Sequence, residues 1–108
     1  MSPPRVEILY FRECPHYAAL RPLVEQIARE LGVELAIAER EIEDMETAQA
    51  QRFLGSPTVR VDGRDVEPGA DERREYVLGC RVYRSETGLA GQPPAEWIRD
   101  ALRRAAAA

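Results

Sequence analysis

The sequence predicts a one-domain α/β fold over residues 1–108, with its elements in the order β-α-β-α-β-β-α. Three observations carry that prediction. Residues 6–11 (VEILYF) are nearly all apolar, the composition of a strand covered on both faces. Leu20, Leu23, Val24, Ile27, Ala28 and Leu31 recur at helical spacing and form one apolar stripe. Residues 58–61 are followed by Asp62-Gly63, a strong hairpin signal, and then by a short second strand at about residues 65–67. A chain of 108 residues can enclose one ordinary core and is too short for two.

The first helix is expected over about residues 15–31, with Pro15 in its first turn and Gly32 as its stop. Pro22 falls inside that span and should kink it. VELAIAE, residues 33–39, alternates in the manner of a strand with one wetter face. A shorter helix fits residues 44–54, capped by Asp44, with Met45, Ala48 and Phe53 facing inward and Gly55 at its end. The last helix fits residues 94–105, with Trp97, Ile98, Ala101 and Leu102 on one side. Between it and the hairpin lies a long connection, residues 68–93, in which YVLGCRVY (76–83) could add an edge strand.

Composition narrows the function classes. Hydrophobic residues make up 44% and charged residues 31%, as in ordinary globular proteins. The net charge of −4 carries no electrostatic footprint for nucleic acid, and Arg73-Arg74 and Arg103-Arg104 read as solvated faces. No apolar run approaches the roughly 20 residues of a membrane span. MSPPRVEILY lacks the pattern of a secretory signal, so a cytoplasmic location is expected. In a reducing compartment, two cysteines point to catalysis, redox sensing or inertness before a permanent staple.

Cys14-Pro15-His16 follows the first strand, and Pro22 stands eight residues beyond Cys14. Gly55-Ser56-Pro57-Thr58 stands just before the third strand. Together with the element order, these motifs resemble the thioredoxin superfamily. Cys14-Pro15-His16 is similar to the start of the Cys-Pro-His-Cys site of its bacterial disulfide oxidants. LYFREC, GSPTVRVDGRDVEP, CRVYR and WIRDAL further resemble a group of small bacterial thioredoxin-like proteins, some of which carry selenocysteine. The resemblance implies a central mixed sheet with helices on both faces and an insert before the last helix. It also implies a cis Pro57 beside Cys14, with Pro15, Tyr17, Ser56, Pro57 and Thr58 lining a substrate site. Tyr17 stands where the second cysteine of a dithiol site would be, so the usual cycle cannot run inside the motif.

At the start of a helix, unpaired N–H groups and the helix dipole would favour a thiolate on Cys14 and make it the nucleophile. The bland alternative is a buried cysteine acting as a small hydrophobe, which the polar neighbours Arg12, Glu13 and His16 argue against. His16 could stabilise that thiolate or shuttle a proton, or it could be an exposed residue of no consequence. Tyr17 could meet a substrate sulfur or simply pack. Cys80 could resolve a mixed disulfide or sulfenic acid on Cys14, or could be a packed strand cysteine. The expected activity is therefore thiol–disulfide exchange or peroxide reduction on a protein or small-molecule substrate, with no metal and no cofactor. The alternatives are a thiol module that captures a soft metal or an adduct without turnover, and an interaction protein whose thiol is idle. Oligomeric state stays open.

Overall fold

The computed structural model describes residues 3–107. β1 (Arg5–Tyr10) is flanked by β2 (Ala36–Glu41) on one side and by β3 (Thr58–Val61) on the other, and β4 (Arg64–Asp65) pairs with β3. β1 and β2 run parallel, with Val6 opposite Ile37, while β3 is antiparallel to β1, with Ile8 opposite Val59. The four strands therefore form a mixed sheet in the order β2-β1-β3-β4.

Alternation along β1 divides the core between the two faces of this sheet. Val6 and Ile8 meet α1 (Leu20–Leu31) and α3 (Ala95–Ala107), where Val24, Ile27, Ile98 and Leu102 are buried with them. Leu9 points to the opposite face and packs with Ile42, Ala48 and Phe53 around α2 (Met45–Ala50). Each such buried aliphatic or aromatic side chain is worth about 1.5–3 kcal/mol relative to exposure.

Several boundaries differ from the sequence reading, each for a physical reason. A helix begun at Pro15 would require Pro22 to donate an N–H that it lacks. The chain instead makes a 3₁₀ turn at Tyr17–Ala19, and α1 starts at Leu20. Pro22 thus falls in the first turn, where no backbone donor is required. Gly32 ends α1 at a left-handed φ of 68°, as expected. β2 begins at Ala36, later than the alternation suggests, and as an edge strand it buries little.

Asp44 caps α2, accepting from the Thr47 N–H at 2.7 Å. That helix ends before Gly55, because Arg52 takes φ 55° and the Arg60 guanidinium donates to the carbonyls of Gln51 and Arg52. Met45 is 44% exposed rather than inward-facing. Asp62 and Gly63 both take positive φ, 51° and 82°, as a tight hairpin turn requires.

Residues 68–93 form neither a plain loop nor an edge strand over 76–83. They contain a 3₁₀ turn at Ala70–Glu72 and an extended segment, followed by a two-stranded hairpin of β5 (Tyr83–Ser85) and β6 (Gly88–Ala90). No helix among the described residues is long and apolar enough to cross a membrane.

Candidate functional site

Cys14 lies just beyond the end of β1, in a turn closed by its own N–H donating to the Phe11 carbonyl at 2.9 Å. It precedes the 3₁₀ turn, and five residues separate it from Leu20 at the start of α1. The expected placement at the first turn of an α-helix is therefore corrected, and with it the dipole argument for a thiolate. The expectation of an exposed loop is corrected as well. Arg12, Glu13, Pro15 and His16 are exposed, but Cys14 between them is 2% exposed. Its Sγ faces the Ser56 carbonyl oxygen at 3.5 Å.

Ser56 is the hub of the site. Its Oγ accepts from the Phe11 N–H at 2.9 Å, at the start of the turn that carries Cys14. Its main chain pairs with the insert: Ser56 N–H donates to the Gly79 carbonyl at 2.7 Å, and Arg81 N–H donates to the Ser56 carbonyl at 2.9 Å. These two bonds make a single parallel bridge that sets Cys80 directly opposite Ser56. One carbonyl oxygen thus receives the Cys14 thiol and the amide that follows Cys80. Cys80 is exposed, and both cysteines are free thiols.

The loop is held from both sides. The Ser56–Pro57 peptide is cis, the isomer the resemblance implies. Thr58 Oγ1 donates to the Gly55 carbonyl at 2.7 Å. Gly55 has φ +123°, and a Cβ there would come within 2.8 Å of Arg81 Cβ and 3.2 Å of the Cys80 carbonyl oxygen. Close approach of two main chains explains why this position needs glycine.

Below the loop, Arg81 and Tyr83 anchor the insert. The Arg81 side chain is 1% exposed and bonds Thr58 Oγ1 at 2.9 Å, Asp65 Oδ2 at 2.8 Å and Glu67 Oε1 at 2.7 Å. Its guanidinium lies 4.4 Å from the centre of the Tyr83 ring, a cation–π contact. Burial alone would lower the Arg81 pKa, but Tyr83, Asp65 and Glu67 outweigh it and the net shift is upward. Tyr83 donates its hydroxyl to the Pro57 carbonyl, and its ring meets Trp97 of α3 edge-on at 6.2 Å. Burial pushes the Tyr83 hydroxyl far above its ordinary range, against a downward pull from Arg81.

Tyr17 stacks on Tyr10, with ring centres 4.1 Å apart. Desolvation raises the Tyr10 pKa, reinforced by Glu41, Tyr17 and Glu39. The His16 ring lies against Gly91, where an added Cβ would fall 2.6 Å from Cδ2. The insert therefore meets the Ser56 loop through Cys80, and the turn that follows Cys14 through Gly91 at His16.

A cavity of about 340 Å³ lies elsewhere, between the segment after α2, the β3–β4 hairpin and residues 70–76, with Arg52, Arg60, Arg64, Arg73 and Tyr76 among its lining residues. Neither cysteine lines it. Among the described residues, no group of three or more His, Cys, Asp or Glu could hold a metal ion.

Sequence reasoning did not single out Arg81, gave Tyr83 no role, and read Gly55 only as a helix stop and a motif residue. Their signal was modest: alternate residues of the extended run, Arg81 and Tyr83, face inward while Cys80 and Val82 face solvent. No protein-family model matches this chain, and no curated protein does either.

Proposed function

We propose that this chain is a thioredoxin-like thiol–disulfide oxidoreductase whose redox pair is Cys14 and Cys80. The observation that carries the reading is the convergence of both cysteines on Ser56: the Cys14 thiol on its carbonyl and Cys80 opposite it in the bridge. Tyr17 removes the second cysteine from the local motif, and the insert restores one from the other side of the loop. In the reduced protein the two thiols supply two electrons. A substrate disulfide accepts them and leaves as two thiols, while a Cys14–Cys80 disulfide forms; an external thiol then returns the protein to its reduced form. With a peroxide as oxidant, a sulfenic acid forms first and the second thiol displaces water from it.

Pro57 and Thr58 form the wall of the site, Pro15 and His16 its exposed rim, and Tyr17 packs beside it against Tyr10. The substrate is a disulfide or a peroxide that is reduced, in a cytoplasmic setting that supplies reducing thiols. Turnover tests the proposal. Wild type, Cys14→Ser and Cys80→Ser are assayed for reduction of a small disulfide or hydrogen peroxide with an excess of a monothiol reductant. Catalysis by wild type that is lost in both variants supports the reading. A stoichiometric adduct without turnover in wild type selects a binding module in its place.

A further inference from the structure

We infer that Cys80 is the sulfur that first meets substrate and that Cys14 is the buried thiol that completes the exchange, an order of events that rests on the pairing proposed above. Four observations support it. Cys80 is exposed whereas Cys14 is 2% exposed, so an incoming disulfide reaches Cys80 from solvent and reaches Cys14 only after the turn opens. The Cys14 Sγ points inward, to the Ser56 carbonyl at 3.5 Å, a bond that only the protonated sulfur donates.

The edge of Ser56 beside Cys14 is already filled. Its N–H and carbonyl are both engaged by Gly79 and Arg81 of the same chain, so no foreign main chain can pair there. What the bridge presents opposite Ser56 is the chain's own Cys80. Opposed residues in a parallel pair direct their side chains to the same side. Cys80 therefore stands on the side from which Ser56 Oγ meets the Phe11 N–H, where the Cys14 turn begins. The arrangement brings substrate sulfur to the buried thiol by way of Cys80.

The steps balance. The Cys80 thiolate attacks one sulfur of a disulfide RSSR, forming Cys80–S–SR and releasing one RS⁻. The Cys14 thiol gives up its proton, attacks Cys80 Sγ, breaks the Cys80–SR bond and releases the second RS⁻. The two protein thiols are oxidised to one disulfide, the substrate disulfide is reduced to two thiols, and the two thiol protons end on the released groups or in solvent.

The test uses reduced wild-type protein and 5,5′-dithiobis(2-nitrobenzoate), which reports each released thiolate by absorbance. A pulse shorter than one half-time, quenched with acid and mapped by mass spectrometry, should place the first adduct on Cys80. At completion wild type should release two equivalents and carry no bound adduct. Cys14→Ser should react at the wild-type rate, release one equivalent and retain the adduct. Cys80→Ser should react at least about tenfold more slowly, because its remaining thiol is exposed only by local opening. The pulse on wild type needs no variant to fold. A first adduct on Cys14, or a Cys80→Ser rate equal to wild type, overturns the assigned order. If two equivalents are released with no adduct left on the protein, but Cys14→Ser is the slow protein, the pairing stands and the order falls. If wild type keeps an adduct at completion, on Cys80 alone or on both cysteines, the pairing fails and the order fails with it.

Discussion

Arg81→Met is the perturbation that most directly examines how the insert is held against the Ser56–Pro57 loop. Methionine keeps much of the stem and its packing over Tyr83, but removes the bonds to Thr58, Asp65 and Glu67. Removing one partner of a buried ion pair costs about 3–5 kcal/mol, because the other charge is left uncompensated. The Asp65 and Glu67 side chains are 11% and 18% exposed, and Arg73 stays within 3.2 Å of Glu67, so the lower end applies. About 3 kcal/mol of a typical 5–15 is a large fraction. At roughly 4 °C per kcal/mol for a domain of this size, the melting temperature should fall by about 12 °C.

Urea unfolding followed by circular dichroism measures the free energy, and calorimetry the midpoint. Asp65→Asn in the Arg81→Met background should recover part of the loss, since it removes the orphaned charge yet leaves an oxygen for the Glu67 N–H. A loss below about 1 kcal/mol would show that the network is no more than a surface ion pair and refute the reasoning.

Other consequences are equally specific. Gly55→Ala meets both a positive φ and the backbone of Cys80 and Arg81, and should cost about 2 kcal/mol or more in urea unfolding. Gly91→Ala meets only the exposed His16 ring, which can turn away, so its cost should stay below about 1 kcal/mol. His16→Ala should abolish that cost, which a double-mutant cycle reads directly. Tyr83, with its pKa raised above the unfolded value, adds stability that is intact below about pH 10 and lost as pH rises beyond. In an absorbance titration Tyr83 should ionise only together with alkaline unfolding, and Tyr83→Phe should remove that component.

The periodic parts of the fold were legible in the sequence. The stripe from Leu20 to Leu31, the apolar run of β1 and the Asp62-Gly63 turn each bury or bend the chain by local rules, and each stands where it was expected. The start of α1 was not legible, because the missing Pro22 donor had to be weighed against the attraction of placing Cys14 on a helix. The small hairpin of β5 and β6 escaped notice since its Glu86-Thr87 turn carries neither Asn-Gly nor Asp-Gly.

Within the site, the cis Pro57 and its loop beside Cys14 were anticipated, whereas Cys80 was expected to reach Cys14 over the first helix and instead pairs with Ser56. The burial of Cys14 was hidden, because its polar sequence neighbours all point outward while the sulfur alone turns in. Arg81 was hidden for a related reason. Arginine usually marks a surface, and its burial here depends on Asp65 and Glu67, which lie fourteen and more residues earlier in the chain.

The pairing of Cys14 with Cys80 is tested most directly by disulfide mapping. Reduced protein is treated with limiting hydrogen peroxide or oxidised dithiothreitol, quenched with acid, digested without reduction and analysed by mass spectrometry. The account predicts an intramolecular Cys14–Cys80 disulfide as the main product, fully reversed by excess thiol. Dimers joined through either cysteine, or Cys14 oxidised to sulfinic acid with Cys80 still a free thiol, would contradict it.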